Sequence, residues 1–187
     1  MKAAVILGST GILLSGAISP AMAEQVGSTV SGGDLKETTA VATLAAVTLN
    51  GYNQDVTGVS TEWTITDARG TGVEWALSVS ATDLTSKAGT TIDPTPRTIA
   101  VGNLSITPGA VTAEPGSDAS TNIDAPLLQL STLEQDLIST PGPSKGSYTL
   151  TPTFSLTIPA NAYRSNYSAA VGTPQEPYIS TITFTIA

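Results

Sequence analysis

The chain has 187 residues, carries 7 Lys and Arg against 15 Asp and Glu for a formal net charge of −8, and contains neither histidine nor cysteine. The commonest general base, the commonest transition-metal ligand and the thiol nucleophile are therefore absent, which removes most hydrolase designs and predicts a protein that is not an enzyme. The acidic excess is spread along the chain with no basic cluster, so phosphate backbones and anionic lipid are repelled and no nucleic-acid partner is expected.

Lys2, an apolar run over residues 3–18 and the small-x-small triplet Ala21-Met22-Ala23 read as a secretion signal peptide cut after Ala23, leaving residues 24–187 as one domain. Gly8, Ser9, Thr10, Gly11, Ser15 and Gly16 make that run a poor permanent anchor, and no later stretch is long and apolar enough for a membrane span. An exported domain without disulfides must rely on packing and backbone pairing, which suits a bacterial surface without an oxidising periplasm.

Residues 26–30 read as a short strand, and Ser31-Gly32-Gly33-Asp34 as a turn before another that starts at Leu35. Residues 40–49 are apolar at nearly every position; the threonines among them and the Asn50-Gly51 turn signal favour a strand over a helix. Two alternating runs follow. Val59, Trp63 and Ile65 oppose Ser60, Glu62, Thr64 and Thr66, and Val73, Trp75, Leu77, Val79 and Ala81 oppose Glu74, Ala76, Ser78 and Ser80. The polar, glycine-containing stretch at 66–72 between them predicts a β-hairpin with both tryptophans in one core.

Residues 98–106 predict a strand whose parity slips at Gly102-Asn103, a candidate β-bulge. Residues 107–125 form a long Pro/Gly/Ser-rich loop, either ordered against the sheet or functional. Residues 127–138, with Leu128, Leu130, Leu133 and Leu137, suggest a strand followed by a helical turn, stopped by Pro141-Gly142-Pro143. The C-terminal part alternates most cleanly: Tyr148, Leu150, Phe154, Leu156 and Ile158, then Tyr178, Ile182, Phe184 and Ile186, each set facing threonines and serines. Short strands, glycine and proline punctuation and no alternating helices give an all-β fold, a single antiparallel β-sandwich or barrel-like domain with long loops.

The candidate binding residues are few. Asp67 and Arg69 sit in the predicted turn, where a local brace competes with ligand contact. Trp63, Trp75 and Leu77 face inward by parity, so core packing competes with a stacking platform. Tyr163 and Tyr167 occupy a small, polar loop and are the aromatics free to present a platform. No cofactor is expected: the twelve-residue calcium loop is missing and Glu114, Asp118 and Asp124 are scattered, which leaves a backbone-assisted calcium site as the remaining alternative.

The tripeptide Trp75-Ala76-Leu77, the preceding Asp67-Ala68-Arg69-Gly70-Thr71-Gly72 turn, Ser31-Gly32-Gly33-Asp34-Leu35 and a terminal strand at 178–187 together resemble the WxL-domain surface proteins of Gram-positive bacteria. The resemblance implies an exported, β-rich cell-surface protein associated non-covalently with the cell wall through peptidoglycan or another wall polymer, beside other surface proteins. The second Trp-x-Leu common near the end of family members is replaced here by Phe184-Thr185-Ile186, a departure from the pattern. Two alternatives stand beside this reading: a structural subunit of an extracellular filament or matrix that self-assembles by β-strand donation from residues 24–39, and a glycan-binding adhesin using Tyr163 and Tyr167.

Overall fold

The computed structural model describes residues 26–89 and 95–187, so the expected leader at 1–23 lies outside the described residues. The chain divides into Met1–Val30 and Ser31–Ala187, and the fold is that of the second unit. Residues 26–30 form no strand, and Val26 and Val30 are fully exposed.

Thirteen strands follow among the described residues: β1 (Leu35–Thr38), β2 (Gln54–Val59), β3 (Trp63–Asp67), β4 (Ala76–Ala81), β5 (Leu84–Thr85), β6 (Thr98–Ile99), β7 (Leu104–Thr107), β8 (Thr112–Ala113), β9 (Leu128–Gln129), β10 (Gln135–Ser139), β11 (Gly146–Leu150), β12 (Thr153–Ile158) and β13 (Ile182–Ile186). All pairings are antiparallel, in sheets ordered β1-β3-β11-β8, β2-β12-β7-β9, β10-β4-β13 and β5-β6, and no sheet closes into a barrel. The protein is all-β and sandwich-like.

The first two sheets are two halves of one bent ribbon. The β2–β12 ladder runs from Gln54↔Ile158 to Val59↔Thr153, continues through Ser60 N donating to Pro152 O at 2.9 Å, and resumes in β3–β11 at Trp63↔Leu150. At the join Thr61 and Glu62 oppose Thr151 alone, and such a two-against-one mismatch bends the strand. The β10-β4-β13 sheet packs against this ribbon through Trp63, whose ring lies 4.9 Å edge-on from Phe184 of β13 and 6.3 Å from Phe154 of β12. Ile65, Leu77, Val79, Ile106, Leu137 and Tyr148 fill the same core, each at 0–1% exposure. Fully burying side chains of this kind contributes about 1.5–3 kcal/mol each.

The parity readings of β3, β4, β11 and β12 hold, and both tryptophans share the core. The hairpin does not form. β3 pairs with β1 and β11, whereas β4 pairs with β10 and β13, so residues 68–75 carry the chain from one sheet to another. Val59 and Val73 point outward at 65% and 58% exposure, because the bend at 60–62 and the crossing end each alternating run early.

Residues 40–49 form no strand. They cross the face of β2, where Gly58 leaves the space: a Cβ there would overlap the carbonyl oxygen of Thr43 and press on Leu44 Cδ2. At Gly102-Asn103 the parity slip is made by a 3-10 turn over Val101–Asn103, not a bulge. The turn transfers the chain from β6 to β7 while keeping Ile99, Val101, Leu104 and Ile106 buried. The bulge lies instead in β10, between Asp136 and Ile138, and lets the adjacent Leu137 and Ile138 both face inward. Residues 127–138 hold two strands and no helical turn; Leu133, counted in the helical pattern, is 76% exposed. The long loop at 107–125 is ordered against the sheet by β8 and by a 3-10 turn over Ser120–Asn122.

Candidate functional site

The turn after β3 is built around one carboxylate. Asp67 is the last residue of β3, with its side chain fully buried, and its Oδ1 accepts the backbone N–H of Arg69 at 3.0 Å, an Asx-type turn. The Arg69 guanidinium closes on the same group, Nε to Oδ1 at 2.9 Å and Nη2 to Oδ2 at 3.1 Å, and Nη2 also donates to the carbonyls of Val73 at 2.9 Å and Glu74 at 3.3 Å. Donation by Arg69 holds the Asp67 carboxyl below the ordinary aspartate range against the opposing effect of burial, and Asp67 raises Arg69 in return. The pair is a clamp on the residues that cross between sheets. The local brace set against ligand contact in the sequence is thus present, with the acid buried and Arg69 partly exposed over it.

The tryptophans are equally committed. Trp63 Nε1 donates to Ala40 O at 2.9 Å and to Ser60 Oγ at 3.0 Å. Trp75 Nε1 donates to Ser144 O at 2.9 Å, its backbone N–H is taken by Thr140 Oγ1 at 3.0 Å, and its ring lies 6.2 Å from that of Tyr148. With Trp75 at 2% and Leu77 at 0% exposure, both named side chains of the Trp-x-Leu tripeptide lie in the core.

A different part of the molecule is open. Residues 44–49 stand as one wall of a cleft of about 610 Å³; the floor is Leu156 and Ile158 of β12 with Leu84 and Ile99 of β5 and β6, and the other wall is the 163–178 loop. Tyr163 rises from that loop at 59% exposure with the Arg97 guanidinium 4.0 Å from its ring centroid. Tyr178 Oη donates to the Tyr163 carbonyl at 3.0 Å and Arg164 Nη1 to Ser165 O at 2.9 Å, which fix the backbone under the tyrosine. Lys87 reaches the same loop through its ion pair with Glu176 at 3.2 Å. The result is an apolar floor under an aromatic and cationic rim on an otherwise acidic chain.

Tyr167 is not on this wall. It is half-buried, with Arg164 at 4.7 Å from its ring and a bridge to Gln175, and braces the loop behind Tyr163. The cleft's other parts escape sequence reasoning because residues 44–49, Leu84, Ile99 and Tyr178 come from segments far apart in the chain. The surplus of apolar residues at 40–49 is the signal that could have pointed to the first of them.

The scattered acids stay scattered. Asp118 binds Lys145 Nζ at 2.8 Å and is lowered by that hydrogen bond, Asp124 pairs through its backbone with Ser139, and among the described residues no three acidic side chains converge. No family model, curated protein or solved structure matches this chain.

Proposed function

We propose that the protein is an exported, non-catalytic surface protein that associates non-covalently with the Gram-positive cell wall, and that the Tyr163 cleft is the face that meets the wall polymer. The observation that carries the reading is the rim itself: an exposed tyrosine backed by Arg97 and flanked by Arg164 over an apolar floor. Sugar rings offer apolar faces to an aromatic side chain, and the carboxylates of peptidoglycan stem peptides offer anions to arginine. The Trp-x-Leu motif supports the reading through the resemblance alone, since its side chains hold the core that positions the cleft.

The test is co-sedimentation with purified sacculi at near-physiological salt. Wild-type protein is expected in the pellet, and Tyr163→Ala is expected to weaken retention by about tenfold, the scale of about 1.4 kcal/mol, with an unchanged melting temperature. Wild-type protein that stays in the supernatant sinks the proposal. The adhesin reading uses the same exposed Tyr163 but a different ligand, and competition of pelleting by free oligosaccharides unrelated to the wall would favour it.

A further inference from the structure

We infer that β13 is an acceptor edge for a second copy of this chain and that residues 26–30 are the donor strand. β13 ends its sheet: it pairs with β4 on one side, and no described strand pairs with it on the other. The ladder decides which groups are left over. Ala187 and Ala76 exchange both backbone bonds, at 3.1 and 2.9 Å. Two-residue steps along the register make Thr185↔Ser78 and Thr183↔Ser80 the bonded pairs as well, so the N–H and C=O groups of Ile182, Phe184 and Ile186 point away from β4. The side chains of these three residues are half-buried, whereas their partners Ala81, Val79 and Leu77 are at 4%, 1% and 0% exposure. Among the described residues, β13 therefore has one side without a backbone partner and apolar side chains that are only partly covered.

The other edges carry protection of the kinds that keep sheets from pairing with strangers. β1 bears Lys36 and Glu37, β10 has the bulge beside Asp136, β2 contains Asp55 and Gly58, and β5, β6, β8 and β9 are two residues long. β13 reads Ile-Thr-Phe-Thr-Ile, with no charge, proline or bulge.

The donor has matching properties. Val26-Gly27-Ser28-Thr29-Val30 is as long as β13, alternates Val26, Ser28 and Val30 on one face, and is exposed throughout, Val26 at 102% and Val30 at 93%. Neither segment carries a charge, so the chain's net −8 does not act at the contact itself. In the folded chain residues 26–30 are exposed and β13 has no second partner among the described strands, which leaves donor and acceptor open to a second copy. Gly33 N donates to Ala68 O at 2.7 Å, and a Cβ on Gly32 would overlap the Arg69 carbonyl oxygen, so residues 32 and 33 are tied to the turn after β3.

The inference does not rest on wall binding, and its test reads self-association without any wall polymer. Light scattering of the chain from Glu24 onward is expected to show concentration-dependent assembly. Val26→Asp with Val30→Asp is expected to raise the midpoint concentration at least about tenfold, at an unchanged melting temperature. Because the chain has no cysteine, single variants can be trapped: oxidising a mixture of Thr29→Cys and Thr183→Cys should give the mixed disulfide dimer in preference to either homodimer. A monomer at millimolar concentration, assembly indifferent to the two aspartates, or a Thr29→Cys/Thr183→Cys double variant that closes within one chain would each overturn it.

Discussion

The Trp63–Trp75 region and the 163–178 loop hold the chain's most conspicuous aromatics and use them in opposite ways. Around the tryptophans every polar atom named above has an internal partner: both indole N–H groups end on backbone carbonyls, and the Asp67 carboxylate is consumed by Arg69. In the loop, Tyr163 stays 59% exposed with the Arg97 guanidinium 4.0 Å from its ring centroid. A side chain whose contacts are complete can stabilise but has nothing left to offer a ligand; binding capacity belongs to groups with contacts unfilled.

This contrast can be broken or sharpened by substitution. Trp63→Ala removes the ring that joins Phe154 and Phe184, and a loss of about 3–5 kcal/mol is expected in denaturant titration. Trp75→Ala is expected to cost a similar amount. If either variant keeps its stability yet fails to pellet with sacculi, the tryptophans are ligands and the contrast is wrong.

Gly58→Ala is expected to cost about 1–3 kcal/mol as an overpacking change, because the new methyl meets the Thr43 carbonyl oxygen. It should also weaken sacculus binding, since it pushes on the segment that walls the cleft. Stability lost with binding intact would separate that segment from function.

Asp67→Asn leaves a buried amide where Arg69 expects a carboxylate, and about 1–3 kcal/mol should be lost; the fold should survive, with or without Arg69→Gln. The sign of the pH effect follows from the lowered carboxyl. A group depressed in the folded state contributes stability that is complete above its unfolded value, about 3.9, and is lost as pH falls toward the folded one. Wild-type stability should therefore decline below about pH 4 more steeply than that of Asp67→Asn, and parallel acid profiles would remove the clamp from the account. The smallest structural effect is expected for Tyr163→Ala, within about 0.5 kcal/mol, and there the readout is binding.

Alternation along a strand is a local property, so the inward sets at 63–65, 77–81, 148–150 and 154–156 were legible from residue order, and so was the burial of both tryptophans. The Asp67–Arg69 brace was legible for the same reason, being two residues apart. Of the candidate site, Tyr163 was readable as an aromatic stranded in a polar loop. The cleft beneath it was not, because its walls and floor meet only when residues 44–49, 84, 99 and 156–178 are folded together.

What residue order determined by itself was therefore which side chains turn inward and that strands carry them, since both follow from a two-residue period and local turn chemistry. Which strand lies beside which was decided by tertiary structure. A turn-rich stretch between two alternating runs is equally compatible with a hairpin and with a crossing between sheets. Here β3 finds its partner in β11, with Thr66 and Ser147 hydroxyls 3.0 Å apart across 81 residues, while Arg69 pins the Val73 and Glu74 carbonyls so that Trp75 enters the other sheet. Residues 40–49 show the same limit, because an apolar run becomes a strand only where an edge is free to pair with it, and these residues meet the face of β2 at Gly58.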